Sequence, residues 1–286
     1  MMLACQTPPT IEVPVPAAAV TARHWDLTVG LIDATVQLDQ PTGPEIRTVG
    51  TGFLISAPRP DGTPRVVLVT AGHVLEKMPD AEMRTGWRIA MPDGSWKFDP
   101  QPLEIRDSDG APLWTELPGR DVAVMELKAP DAFARAAIPL AWLADAETFD
   151  TLDVGPGDEL LSLGFPRGLS ANRAGFPILR VGRVASYPLT PVSAFPTFLL
   201  DFTVFPGNSG VPIYWTPTAR RRPGSSEPDH PFIAGMLSQE VLVGTERLGL
   251  GVVIQAQYIR DAIALLDKTP LPEGERGTRE RSEVGG

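Results

Sequence analysis

Three short segments of this chain hold residue types that together can break an amide bond at neutral pH. They are Thr70-Ala71-Gly72-His73-Val74, Arg120-Asp121-Val122-Ala123-Val124 and Pro206-Gly207-Asn208-Ser209-Gly210-Val211-Pro212. Attack on an unactivated carbonyl needs a nucleophile, a base to take its proton, and a carboxylate to hold that base in the right tautomer. Ser209, His73 and Asp121 supply one of each. Taken singly, each has a plainer reading: a core histidine at a strand end, a turn aspartate at a strand start, and a Gly-Asn-Ser-Gly turn. Their value lies in occurring as a set, each beside an apolar run that can fix it in space.

Those runs are short, alternate in polarity and are bounded by Gly, Pro and Asp, which predicts an all-β chain. The first half reads as six strands, near 27–38, 48–55, 65–70, 87–91, 96–98 and 121–127, with Pro92-Asp93-Gly94-Ser95 as a hairpin turn. The second half also reads as six, near 159–164, 178–186, 197–203, 211–215, 232–238 and 248–254. Between them, 129–155 is rich in Ala, Pro and Asp and serves as a connector with a short helix near 130–135. Only 257–266 has clear helical spacing, with Ile259, Ala262, Ile263 and Leu266 on one face. The expected organisation is therefore an N-terminal arm (1–24), a first barrel (25–128), the connector (129–155), a second barrel with a terminal helix (156–267) and a polar tail (268–286). The loop holding Arg220-Arg221-Arg222 reads as hydrated.

Composition narrows the function classes. The chain has 286 residues, and its 31 Pro and 27 Gly oppose long helices. With 25 Lys and Arg against 35 Asp and Glu the net charge is −10, which argues against nucleic acid as a main partner. One cysteine, Cys5, permits no internal disulfide, and three histidines (His24, His73, His230) cannot build a Cys/His zinc site, although carboxylates could still hold calcium. No apolar run reaches the about 18 residues that span a bilayer. Phosphate-loop and dinucleotide fingerprints are absent from the sequence, so no cofactor is expected. Met1-Met2-Leu3-Ala4-Cys5 resembles the end of a bacterial lipoprotein signal followed by a Pro-rich tether, which leads to the expectation of a cell-envelope protein, periplasmic or secreted, lipid-anchored at Cys5 if the start is truncated; the plainer reading is a disordered N-terminal arm with an incidental cysteine. A cytoplasmic location is the alternative.

The order His, Asp, Ser, with the break between halves falling between Asp121 and Ser209, resembles the trypsin-like serine peptidases of the chymotrypsin fold. The wording TAGHV, DVAV and PGNSG is most similar to their bacterial branch, which includes the high-temperature-requirement proteases. The resemblance covers roughly 27–267. It implies two six-stranded antiparallel barrels with the site in the cleft between them, and a short C-terminal helix. His73 and Asp121 come from the first barrel and Ser209 from the second. It also implies an oxyanion hole made by the backbone N–H groups of Gly207 and Ser209, cleavage through an acyl-enzyme, and a protein or peptide substrate. The nucleophile elbow of esterases does not fit, because position 211 is Val and only His230 follows Ser209.

Two positions depart from the family. Asn208 replaces the aspartate that pairs with a new N-terminus in digestive members, so activation by that salt bridge is excluded. Val211 stands where a second glycine is usual, and its branched side chain is expected to crowd the strand behind the nucleophile. This favours the competing reading, a catalytically silent barrel that binds an extended peptide. The resemblance puts Thr203 at the base of the specificity pocket, Ser238 and Gln239 on the strand that pairs with substrate, and Leu237 where glutamate-selecting relatives carry histidine. With no carboxylate at Thr203, cleavage is expected after small or medium uncharged residues. Asp201 and Asn208 are candidates to buttress the nucleophile loop, and His24 and His230 read as surface or packing residues.

Overall fold

A computed structural model describes residues 26–43, 46–216 and 231–268. Cys5, His24, the Arg220-Arg221-Arg222 run and His230 lie outside the described residues, as does the tail beyond Lys268. In chain order the elements are α1 (Asp26–Ala34), β1 (Thr35–Pro41), β2 (Arg47–Ser56), β3 (Val66–Thr70), α2 (Gly72–Glu76), β4 (Glu82–Ala90), β5 (Trp96–Glu104), β6 (Thr115–Glu116) and β7 (Ala123–Glu126). Then come α3 (Asp131–Ala136), β8 (Ile138–Pro139), α4 (Thr148–Thr151), β9 (Glu159–Gly164), β10 (Ile178–Val184), β11 (Thr197–Asp201), β12 (Pro212–Trp215), β13 (Phe232–Val243), β14 (Glu246–Gln255) and α5 (Ala256–Leu266).

The second half closes into a six-stranded barrel in the order β10-β11-β14-β13-β12-β9. The first half is a sheet in the order β5-β4-β1-β2-β3-β7-β6, with β8 added in parallel to β2. It therefore carries eight strands where the sequence suggests six. The two extra ones, β6 and β8, are two residues long and give no periodicity to read.

One expected strand is replaced in part by a helix. The run 27–38 divides into α1 and the start of β1. Leu27, Leu31 and Ala34 are fully buried, and their spacing of four and three places them on one helical face. Val29 and Ile32 between them supply the apolar run that mimics a strand. Arg88 on β4, only 3% exposed, donates to the carbonyls of Ile32 and Asp33 at the end of α1 and to Gly175 in the other half. It thereby satisfies helix-terminal acceptors that α1 cannot pair internally. Phe133 and Phe176 flank its guanidinium at 5.0 and 5.3 Å, and burial lowers its pKa to about 10, so the group remains a cation at neutral pH.

At the other end of the chain, α5 buries Ala256, Ile259, Ala262 and Ile263 along one face. It packs against β13 in its own half and β7 in the other, and Asp267 just past its end pairs with the buried Arg65 at 2.8 Å. Among the described residues no helix is long and apolar enough to cross a membrane.

Val211 does not crowd the barrel. It is fully buried just before β12, and the neighbouring strand β9 ends in Gly164, where an added Cβ would lie 2.2 Å from Val211 Cγ2. The volume that a second glycine at 211 would leave has moved across the strand pair. Substituting Gly164→Ala is therefore expected to destabilise the fold by about 1–3 kcal/mol, the range for overpacking a tight core. In the double variant Gly164→Ala/Val211→Ala most of that loss should be recovered. Chemical denaturation of the wild type, both single variants and the double variant measures the coupling, and strict additivity would refute it.

Candidate active site

Each of the three chemical groups sits at the end of a regular element. His73 follows β3 in the first turn of α2, directly after Gly72. Asp121 lies two residues before β7, which pairs with β3, so adjacent strands deliver the acid and the base side by side. Ser209 lies in the loop between β11 and β12.

The structure brings the three together. His73 Nδ1 is 2.8 Å from Asp121 Oδ2, and His73 Nε2 is 2.9 Å from Ser209 Oγ. Asp121 Oδ1 also accepts the backbone N–H of His73 at 2.9 Å, and Oδ2 accepts the hydroxyl of Ser238. With a proton on Nδ1 directed at the carboxylate, Nε2 is the free lone pair facing the serine. Burial pushes the Asp121 carboxyl up, but hydrogen bonds from the His73 ring, the Ser238 hydroxyl and the His73 amide outweigh it and hold the group below its ordinary range.

Gly72 lies close under both carboxylates: a Cβ there would lie 2.7 Å from Glu116 Oε1, which would have to swing aside, and in ordinary contact, 3.4 Å, with Asp121 Oδ1. Behind His73 the site opens into a cavity of about 470 Å³, lined also by Glu76, Lys77, Glu116, Arg120 and Gln239. This opening leaves the Asp121 side chain 28% exposed.

The nucleophile loop is pinned carbonyl by carbonyl. Pro206 O accepts the Arg167 amide, Gly207 O accepts Thr51 Oγ1 at 2.8 Å, Asn208 O accepts the Val211 amide at 3.1 Å, and Ser209 O accepts the Thr51 amide at 3.0 Å. In a trans peptide the N–H points opposite the preceding C=O. Fixing Pro206 O and Asn208 O therefore directs the N–H groups of Gly207 and Ser209 outward, and among the described residues neither amide has an acceptor. Gly207 has φ of 89°, and a Cβ there would lie 2.5 Å from Phe165 O, so position 207 admits no side chain.

Asn208, 2% exposed, accepts the Phe205 amide through Oδ1 and so braces the loop as expected. The same expectation for Asp201 is not met: it is exposed at the end of β11, and among the described residues its side chain has no hydrogen bond. Its alternation with buried Leu200 turns it outward. Thr203 is also exposed, and its carbonyl accepts Arg180 Nη1 at 2.7 Å. Ser238 stands at an irregularity in the pairing of β13 with β14, between Leu237 and Gln239. A bulge of this kind re-aims a residue next to a site. Here it turns the Ser238 hydroxyl to Asp121 and its carbonyl to Ser209 Oγ at 2.9 Å. Gln239 lines the cavity beside His73. Thr51 was not legible as a site residue, because the atoms it holds lie more than a hundred residues away in sequence.

Among the described residues no three His, Cys, Asp or Glu side chains gather where they could hold a metal ion. The arrangement can polarise one hydroxyl, take its proton, and offer two free amides to a developing negative charge.

If Asp121 is ionised and well bonded in the folded state, its contribution to stability is present above about pH 3.9, the ordinary aspartate value, and is lost as pH falls through the lower folded value. The melting temperature of Asp121→Asn should therefore lie below that of the wild type at pH 7, with the gap closing as the pH falls below about 3.9, the ordinary aspartate value. A gap that stays constant on acidification would contradict the assignment.

No family model matches the chain, and no curated protein matches it in sequence. Solved structures do. A serine-to-alanine variant of the HtrA-type protease AlgW, bound to a tripeptide, superposes with a TM-score of 0.52 at 14% identity, over 86% of this chain and 64% of that one. AlgW with a decapeptide gives a TM-score of 0.49 at 14% identity, over 86% and 68%. This chain thus spans somewhat under two thirds of the length of the first of these structures. The six-stranded barrel, the companion sheet and the terminal helix, together with the first superposition, identify the fold as the chymotrypsin-like one of the HtrA-type serine proteases.

Proposed function

We propose that this protein is a serine endopeptidase in which Ser209 is the nucleophile, His73 the general base and then general acid, and Asp121 the group that orients His73. The observation that carries this reading is the continuous chain of contacts, 2.8 Å from carboxylate to imidazole and 2.9 Å from imidazole to hydroxyl, beside two unpaired amides. Ser209 Oγ attacks the scissile carbonyl as its proton passes to His73 Nε2. The resulting oxyanion takes the N–H groups of Gly207 and Ser209, and His73 returns the proton to the leaving amine. Water then repeats the cycle on the acyl-enzyme.

The substrate binds as an added strand. Beyond the irregularity at Ser238, residues from Gln239 to Val243 of β13 pair with β14 on one edge, whereas β12 stops opposite Met236. The second edge beyond that point has no strand partner among the described residues, and it begins at Ser238 and Gln239, next to His73 and Ser209. An extended peptide can satisfy that edge with its own backbone.

In this reading the side chain preceding the cut meets Leu237 and Val204, whose Cδ1 and Cγ2 lie over Gly251, within 2.6 and 3.2 Å of where a Cβ would be. Thr203 contributes no carboxylate, and its carbonyl already accepts Arg180 Nη1 at 2.7 Å. A basic substrate side chain would lose its hydration there without gaining a partner. This supports cleavage after Ala, Val, Leu or Thr. The AlgW structure with a bound tripeptide is in keeping with a peptide substrate.

Labelling of the purified chain with a fluorophosphonate, with the adduct located by peptide mass, should modify Ser209 and be abolished in Ser209→Ala and His73→Ala. No labelling of a cooperatively melting wild type would overturn the reading in favour of a silent peptide-binding barrel. In a peptide library, cleavage after small uncharged residues should exceed cleavage after Arg or Lys by at least about 100-fold, or about 2.7 kcal/mol. The reverse order would refute the pocket assignment.

A further inference from the structure

We infer that Thr51, a residue of the first half that contacts no substrate, is the positioning residue of the oxyanion hole; the inference rests on the peptidase reading above. Thr51 lies on β2, is fully buried, and uses every polar atom on the nucleophile loop or its supports. Its Oγ1 donates to Gly207 O at 2.8 Å and accepts the Phe165 amide at 3.2 Å. Its N–H donates to Ser209 O at 3.0 Å, and its own carbonyl accepts Thr70 Oγ1 at 2.8 Å. One residue therefore sets the peptide planes that follow both of the oxyanion donors, Gly207 and Ser209.

The hydroxyl matters more than the side-chain volume. A carbonyl turned away from Thr51 would rotate the Gly207–Asn208 peptide plane about ψ of Gly207 and φ of Asn208, and a glycine, having no Cβ, offers little resistance to the change in its ψ. The bond from Thr51 Oγ1 is what selects one orientation. It acts through a donor that is itself fixed, since Oγ1 also receives the Phe165 amide at the end of β9. Phe165 O in turn lies 2.5 Å from where a Gly207 Cβ would be, so the same segment bounds the glycine on its other side. Thr70, at the end of the strand that leads to His73, completes the connection: base and oxyanion donors are referenced to a single buried residue.

The inference is tested with full-length Thr51→Val, which keeps the shape and removes the hydroxyl, and Thr51→Ser, which keeps the hydroxyl and removes a methyl. On a peptide substrate, Thr51→Val should lower kcat by about 10–100-fold with KM within about threefold, the pattern of an interaction made in the transition state. Thr51→Ser should restore most of that loss. The affinity for a peptide aldehyde, which forms a tetrahedral adduct, should fall in parallel with kcat, whereas the affinity for a product peptide should not. Equal kcat in Thr51→Val and wild type would overturn the inference. So would a loss that Thr51→Ser fails to restore while its melt is unchanged, because that would assign the effect to packing. If Thr51→Val does not melt cooperatively, Thr51→Ala carries the same comparison. Failure of the wild type to label with fluorophosphonate refutes the peptidase reading itself, whereas a labelled wild type with a fully active Thr51→Val refutes only the role of Thr51.

Discussion

The two halves of this molecule meet through backbone, and at one point they meet so closely that no side chain fits. A Cβ on Gly210 would lie 1.9 Å from Thr51 O and 2.5 Å from Thr70 Oγ1. That approach lets the Ser209 carbonyl reach the Thr51 amide, and it brings the serine hydroxyl within hydrogen-bond range of a histidine carried by the other half. The constraint is steric and therefore sharp, because interiors are packed too densely to absorb a misplaced methyl. The cleft follows from it. Gln37 Nε2 donates to Gly168 O at 3.0 Å, and Thr51 Oγ1 to Gly207 O, so the loop bearing Ser209 and the loop after β9 both hang on strands β1 and β2.

Backbone constraints of this kind specify a fold through few atoms: glycines at the close approaches and acceptors for buried N–H groups. Elsewhere complementary volumes suffice. Val211 fills space that Gly164 leaves open on the neighbouring strand, so the pair packs as a unit. Arg88 likewise joins α1 to the second half by donating to three carbonyls, a task that any fixed donor in that position could perform.

His73, Asp121 and Ser209 stand out in the sequence because the chemistry proposed for them tolerates few residue types, and the hairpin at 92–95 was legible because its turn needs Gly94 at φ of 81°. Strand β9 and helix α5 were readable from periodicity to within a residue or two. The start of the chain was not: Leu27, Leu31 and Ala34 have helical spacing, but the apolar residues between them mask it, and only burial of one face against the sheet decides the outcome. Thr51 and Gly164 were invisible for a different reason. Nothing about a threonine in Gly-Thr-Gly or a glycine at a strand end announces a partner, and each acquires its role only when a distant segment is laid on it.

The resting site also holds a balance that follows from counting protons. Ser209 Oγ is 2.9 Å from His73 Nε2 and 2.9 Å from Ser238 O, and it has a single hydrogen to give. Both acceptors are competent, because the proton on Nδ1 is directed at Asp121 and a carbonyl always accepts. Ser238 is also the first residue of the edge to which, in the proposed reading, a substrate adds its backbone. A peptide N–H bonded to that carbonyl competes with the serine for it and leaves the imidazole as the better partner. Recognition of the extended chain and alignment of the nucleophile with its base then become one event. The bulge between Leu237 and Gln239 is what makes this coupling possible, because without the extra residue Ser238 would keep a regular ladder register and its hydroxyl and carbonyl could not serve Asp121 and Ser209 together.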